Sequence, residues 1–281
     1  MRHATLLILF LLFPIFLKGQ APFPNKDEIN QFKLSKTFVV LEDDQFSAFN
    51  SFARKTMGAY WKITPFDFID ASGFELHRKE TGYSFITLSQ TKFEKDKSNS
   101  SFNFINLLQG KNVGNLGQMP EICAVPLSSA GEDDLDYGYK MGAILLFMQK
   151  HAGMISDDPT LTGRRYLRYY NKNIPEVAGK TILVKKEDLS PDISTIEKIK
   201  AVCSLNIEIV SEDEIIKAIE NKAPKTLILH KVGPGPDNTS GYCFKMLIGT
   251  DDSDMYYYNQ HTIDKDNPDG LLPADLKRLV K

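Results

Sequence analysis

The sequence predicts an α/β protein made of two tandem, similar units, each running β-α-β-α-β-β-β-α around a mixed sheet. Three observations predict it. The stretch Lys36-Thr37-Phe38-Val39-Val40-Leu41-Glu42-Asp43-Asp44 returns 144 residues later as Lys180-Thr181-Ile182-Leu183-Val184-Lys185-Lys186-Glu187-Asp188. Each copy is an apolar strand core that opens the same order of strand-like and helix-like segments. Weaker correspondences follow in step: Ile63-Thr64-Pro65-Phe66-Asp67 against Ile209-Val210-Ser211-Glu212-Asp213, and Phe102–Leu108 against Tyr242–Ile248. The gaps between them fall in loops, where insertions are tolerated.

The first 20 residues form a separate object. Arg2 and His3 give a short basic start, Leu6 to Leu17 is an unbroken apolar run, and Lys18-Gly19-Gln20 ends it. This is the three-part layout of a secretory signal peptide, with cleavage expected near Gly19–Ala21. Twelve apolar residues fall short of the ~20 that an ordinary spanning helix needs. The expectation is an exported protein, periplasmic or extracellular and soluble, with no integral membrane segment after cleavage. The rest divides into a first repeat at 36–155, a connector at 156–179 and a second repeat at 180–281.

The 281 residues are 42% apolar and 25% charged, close to the globular average, so disorder is not the default. A net charge of −2 argues against a general polyanion binder, and no nucleic-acid partner is expected. Cys123, Cys203 and Cys243 are far apart in sequence and lack metal or thioredoxin-like spacing. They read as small buried hydrophobes, although an oxidising compartment permits a Cys203–Cys243 bridge.

In the first repeat a short helix is expected around Asp27–Phe32, then strand one at Lys36–Leu41. Asp43 or Asp44 is a candidate cap for a helix carrying Phe46, Phe49, Ala53 and Met57 on one face. Trp61-Lys62-Ile63-Thr64 reads as strand two, and Pro65 as the start of a helix through Phe68 and Ile69. Strands follow at Tyr83–Leu88, Phe102–Leu108 and Ile122–Leu127. The polar stretch Lys92–Ser101 reads as a hairpin tip. Tyr137–Gly153 closes the unit as a helix apolar on most sides, which predicts burial and a role as packing surface between the halves.

The connector contains Arg164-Arg165-Tyr166-Leu167-Arg168-Tyr169-Tyr170. Basic residues interleaved with aromatics suit a phosphate backbone. The stronger expectation is a short helix that docks Tyr166, Leu167 and Tyr170 on the two halves. In the second repeat strands are expected at Lys180–Val184, Asn206–Val210, Lys225–His230, Tyr242–Ile248 and Met255–Ile263. Helices fall at 191–203, after the capping box Ser211-Glu212-Asp213-Glu214, and at Pro273–Val280. Strand–helix–strand crossovers imply parallel neighbours, and the helix-free step from strand four to strand five implies an antiparallel hairpin.

This segment order resembles that of envelope α/β modules such as the amino-terminal domain of the TolB translocation protein and the curli-secretion lipoprotein family. The resemblance covers each half separately. It implies docking to other envelope proteins and no catalytic site. The whole chain also resembles an uncharacterised family of exported Gram-negative proteins with the same Trp61-Lys62-Ile63-Thr64-Pro65 and His230-Lys231-Val232-Gly233-Pro234 stretches.

Chemistry-bearing motifs are sparse. The sequence contains no G-x-S-x-G, H-E-x-x-H, G-x-x-x-x-G-K-[ST] phosphate loop or G-x-G-x-x-G. Gly110-Lys111-Asn112-Val113-Gly114 reads as a turn. Asp251-Asp252-Ser253-Asp254 lacks the Gly and distal Glu of an EF-hand loop and reads as a solvated tip. No catalytic residue, metal ligand or cofactor is assigned. Parallel sheets bind ligands beyond the carboxyl ends of their strands. In the second half those ends carry Asp188, Ser211 and His230, the candidate ligand-binding residues. The competing reading has Asp188 and Ser211 capping helices and His230 closing a strand. The matching first-half positions, Asp44, Pro65 and Leu88, make no such set.

Three functional expectations result. The first is a non-catalytic exported envelope protein that acts as an interaction or scaffold module with an envelope protein partner. The second is a small-ligand-binding protein with its site between the halves, since domain junctions favour clefts. The third is a hydrolase using His230 with Asp188.

Overall fold

The computed structural model describes residues 22–280 except 45, 94–97, 99, 131–134, 159–160, 164–165 and 236–237. The expected leader at 1–20 and the pair Arg164-Arg165 therefore lie outside the described residues. The first half opens with helix α1 (Lys26–Leu34), whose Asn25 and Glu28 form a reciprocal capping box. Strand β1 (Lys36–Val40) follows, then α2 (Ala48–Tyr60), β2 (Phe66–Ile69), α3 (Ala71–His77), β3 (Tyr83–Lys92), β4 (Ser101–Gln109) and β5 (Glu121–Ser129). A short turn of helix, α4 (Leu135–Gly138), leads into the long α5 (Met141–Asp157).

Two sequence expectations fail here. The cap of α2 is Ser47, whose hydroxyl accepts from the Asn50 amide, and neither Asp43 nor Asp44 serves. Strand two is Phe66–Ile69, where Trp61–Thr64 was expected, and Pro65 begins no helix. Trp61 instead ends α2 with its indole buried, and Nε1–H donates to Thr64 Oγ1 at 2.9 Å. That bond folds 61–64 into a turn. The Thr37 amide then takes the Pro65 carbonyl, which lays Phe66-Asp67-Phe68-Ile69 alongside β1. The alternation of Phe66, Asp67 and Phe68 is the period-two signal of a half-covered edge strand. The helix comes after it, capped by Asp70.

A 3₁₀ connector (Tyr166–Gly179) joins the halves. Its Tyr166 hydroxyl donates to the Ala124 carbonyl of β5 at 2.8 Å, and Leu167 and Tyr170 are buried, as the docking reading expects. The second half runs β6 (Thr181–Val184), α6 (Ile196–Val202), β7 (Asn206–Ile209), α7 (Glu212–Glu220), β8 (Thr226–Val232), β9 (Gly241–Gly249), β10 (Met255–Ile263) and α8 (Pro273–Leu279). Asn171 of the connector brackets Tyr258 of β10, donating to its carbonyl and accepting from its amide.

The protein is α/β, and its described strands form two five-stranded mixed sheets of the same topology. The orders are β2-β1-β3-β4-β5 and β7-β6-β8-β9-β10. In each, the first three strands are parallel and the last two add antiparallel. The shared order does not extend to the residue match of the two first strands. Val39 packs in one cluster with Phe49, Ala53 and Met57 of α2, the first crossover helix. In the second half Ile182 and Val184 pack with Ile199 of α6, the corresponding helix. Aligned at 144, Val39 falls on Leu183, which faces the other way. A one-residue slip exchanges the faces of a strand. The two stretches thus share an apolar run and an opening position, and not a side-chain register.

One core spans both halves. It gathers Val39, Ile86 and Leu107 of the first sheet, the apolar sides of α2, α5 and α7, and Leu183, Ile228, Met246 and Ile248 of the second sheet. A second core under α6 and α8 and a smaller one around Phe38, Phe74 and Phe85 lie on the outer faces. Helix α5 is the packing surface between the halves, as its all-round apolarity predicts. Ten of its 17 residues are buried, against three of seven in α8. Gly142 admits the close approach of α2, because a Cβ there would lie 2.6 Å from the Tyr60 ring. Gly142→Ala is expected to lower stability by about 1–3 kcal/mol through overpacking, read as a lower midpoint in chemical unfolding.

Candidate functional site

The two sheets meet where β5 passes β8, and a cavity of about 260 Å³ opens beside that contact. Both halves build it. The end of β5 supplies Ser128 and Ser129, and the start of α5 supplies Lys140. The ends of β6 and β8 supply Lys185, Asp188 and Lys231. It thus lies beyond the carboxyl ends of two neighbouring parallel strands, where open sheets place ligands.

Its three lysines differ in how they are held. Lys231 donates to Asp269 at 2.9 Å, and that carboxylate together with the charge of Asp188 overcomes burial and raises Lys231 above the ordinary lysine range. Asp269 also accepts from the Gly235 amide and lies against the bare backbone of Gly233, where a Cβ would meet it at 1.9 Å. Lys185 pairs with Glu212 at the start of α7. Lys140 is the exception. It is 1% exposed, and its one hydrogen-bond partner among the described residues is Asp188, at 3.5 Å. Burial pulls Lys140 below the usual lysine range; Asp188 opposes this, while Lys231 and Lys185 add to it. A buried ammonium has three donors to satisfy, and this one has a single long bond. Ser129, 5% exposed, also lines the cavity and brings a hydroxyl to it.

The three residues proposed from sequence separate. Asp188 lines the cavity and partners Lys140, and it caps no helix, since the cap of α6 is Thr195. Ser211 is exposed and caps α7 in a reciprocal box with Glu214, its ordinary structural role. His230 is fully buried, and its Nε2–H donates to the Pro126 carbonyl at 2.9 Å across the junction of the halves. Its Nδ1 has no partner among the described residues. Burial, aided by the field of Lys140, pushes the imidazole down to about 3, so it is neutral at physiological pH. Sequence reasoning missed Lys140 and Ser129. Lys140 sits in the segment that leads into an apolar helix, and nothing local marks it as buried.

A second buried imidazole, His151 of α5, meets the Tyr170 hydroxyl at 2.7 Å, and burial lowers it to about 4. Both groups make a pH prediction. In the unfolded chain each takes a proton below about 6.5, while in the fold each stays neutral until pH 4 or lower. Stability is therefore held above pH 6.5 and declines as pH falls below it. Urea midpoints measured between pH 7.5 and 5 should decrease steadily, and less so in His151→Gln.

Other features read from sequence are structural. The three cysteines are buried and free. Asp251 accepts from the Lys225 amide, while Asp252 and Asp254 pair with Lys180 and Lys150, so this tip is occupied by lysines. Among the described residues no group of acidic, His and Cys side chains could hold a metal ion, and no helix is long and apolar enough to cross a membrane.

A larger groove of about 440 Å³ lies on the outer face of the first sheet, beside α3. Val40, Phe74, Leu108 and Leu116 are part of its apolar lining, and Glu42, Asp43 and Glu121 are its carboxylates. Burial raises Glu121 to about 7. Comparison of the chain with family models, with curated proteins and with solved structures finds no match.

Proposed function

We propose that the chain is a non-catalytic exported module that binds a small polar ligand in the cavity between its halves. The observation that carries this reading is Lys140, an under-partnered buried ammonium in a cavity to which both halves contribute. Convergent polar groups in a cleft at a junction are the general mark of a small-ligand site. The non-catalytic part is supported by His230, the one imidazole put forward as a base. It is neutral, enclosed, and committed through Nε2 to a backbone carbonyl. Export is supported by the leader-like layout of residues 1–20.

Two measurements test the reading. Native mass spectrometry of protein purified from a Gram-negative host should show a bound small molecule that Lys140→Met no longer retains. Identical spectra for both proteins, with no ligand in either, count against it. Fractionation with N-terminal sequencing should find a mature chain beginning near Gln20 or Ala21. Recovery of Met1 on membrane-bound protein counts against export.

A second reading, an interaction module for an envelope protein partner, is favoured by the open outer face of the first sheet. Its groove exposes apolar floor beside Leu116, which is 44% exposed. Large uncovered apolar surfaces mark contact sites. Crosslinked partners that disappear in Leu116→Asp would support this reading, and partners retained in that variant would oppose it.

A further inference from the structure

Read as a binding site, as proposed above, the cavity between the halves has a lining that selects the class of its ligand. Three lysines and two carboxylates line it, and two further carboxylates pair with those lysines from behind. Lys140, Lys185 and Lys231 face Asp188 and Glu187. Lys231 and Lys185 each have a close carboxylate of their own, in Asp269 and Glu212. Lys140 shares Asp188 at a distance beyond an ordinary charge-assisted bond, 3.5 Å against roughly 2.7–2.9 Å. Its side chain is almost completely removed from water, which costs several kcal/mol unless the charge is well solvated by its surroundings. Ser129 adds a hydroxyl donor from β5, on the part of the lining that the first half supplies. The 17-residue α5 begins at this cavity, and no side chain caps it, so its positive dipole end points the same way.

We infer that the ligand is a small oxyanion, a carboxylate or phosphate group received by Lys140 Nζ and Ser129 Oγ between the two sheets. Such a group supplies acceptors to Lys140 Nζ, which the fold leaves with one long bond, and to the Ser129 hydroxyl beside it. A neutral ligand without acceptors would leave the Lys140 ammonium with its single long bond to Asp188, and a cation would offer it no acceptor at all. The cavity volume suits a metabolite-sized molecule and excludes a folded partner.

The test uses the full mature chain and titration calorimetry with sodium salts of phosphate, acetate and succinate at constant ionic strength. Glucose and putrescine serve as neutral and cationic probes. Binding of at least one anion is expected, with phosphate and the carboxylates separating the two oxyanion types. Lys140→Met should weaken it at least tenfold and Ser129→Val severalfold, while Lys277→Met, an exposed lysine on α8, should leave it unchanged. Ser129→Val keeps the Lys140–Asp188 pair, so it stays informative if Lys140→Met folds poorly. Binding of glucose or putrescine that is lost in Ser129→Val would leave the cavity as a binding site and overturn the anion assignment. Anion binding that survives both cavity variants would overturn the assignment as well. The absence of any binding would overturn both.

Discussion

Lys245→Met is expected to cost about 3–5 kcal/mol, the typical effect of breaking a buried ion pair from one side. Lys245 and Asp275 are 0% and 2% exposed and meet at 2.5 Å between β9 and α8. Asp275 also accepts from the Tyr257 hydroxyl, from Asn259 Nδ2 and from the Leu272 amide. This one carboxylate therefore holds the closing helix onto the second sheet, and without Lys245 its buried charge keeps hydrogen bonds but loses its countercharge. Burial by itself would raise Asp275, but the Lys245 charge and the converging hydrogen bonds outweigh it and hold the group below the ordinary range. A depressed folded value adds stability above the unfolded value of about 3.9, and that stability is lost as pH falls through the folded value. In Lys245→Met the restraint is gone. Its urea midpoint should fall sharply at pH 7, and its acid unfolding should begin at higher pH than in the parent. A double variant, Lys245→Met with Asp275→Asn, should recover part of the loss. An unchanged midpoint in the single variant would show that the pair is not enclosed.

Trp61→Ala is expected to cost about 3–5 kcal/mol, as for other large aromatics cut from a core. Trp61 is the only tryptophan, and it is 1% exposed in the core that the two halves share. Its loss removes more than volume. The indole N–H donates to Thr64 Oγ1, which meets Thr37 Oγ1 at 2.5 Å, and Thr37 meets Ser84 Oγ at 2.8 Å. Thr64, Thr37 and Ser84 are all buried, so truncation leaves hydroxyls with fewer partners as well as a cavity. Trp61→Phe separates the two effects, since it keeps most of the volume and loses only the donor. A thermal melt of Trp61→Ala that matches the parent would place this residue outside the core.

Periodicity and punctuation make much of the fold legible in the sequence. The apolar runs at Lys36–Leu41 and Lys180–Val184, the Ser211–Glu214 box and the all-apolar middle of α5 each carry local energetics that survive any context. Local signals failed where a tertiary contact took over. Trp61–Thr64 has the composition of a strand, but the indole finds its partner three residues on and turns the chain. Phe66–Ile69 became a strand because the Pro65 carbonyl had an amide waiting in β1. The apparent match of the two first strands has the same origin. A run of apolar residues specifies a buried strand, while the neighbouring helices decide which side chains face inward.

The candidate site divides in the same manner. Asp188 was reachable, because a residue just past a parallel strand lies at the ligand end of a sheet by topology alone. Ser211 obeyed its local capping rule, and His230 went to a carbonyl in the other half. Lys140 and Ser129 depend on how one half docks on the other. The sequence by itself determined the class, the order of elements, the tandem topology and the burial of α5, since these follow from the spacing of apolar side chains along a single segment. Only the tertiary structure decided the facing of the strands, the shared core and the cavity. Those depend on which distant groups meet, and Lys140 becomes a buried candidate only through the contact of one half with the other.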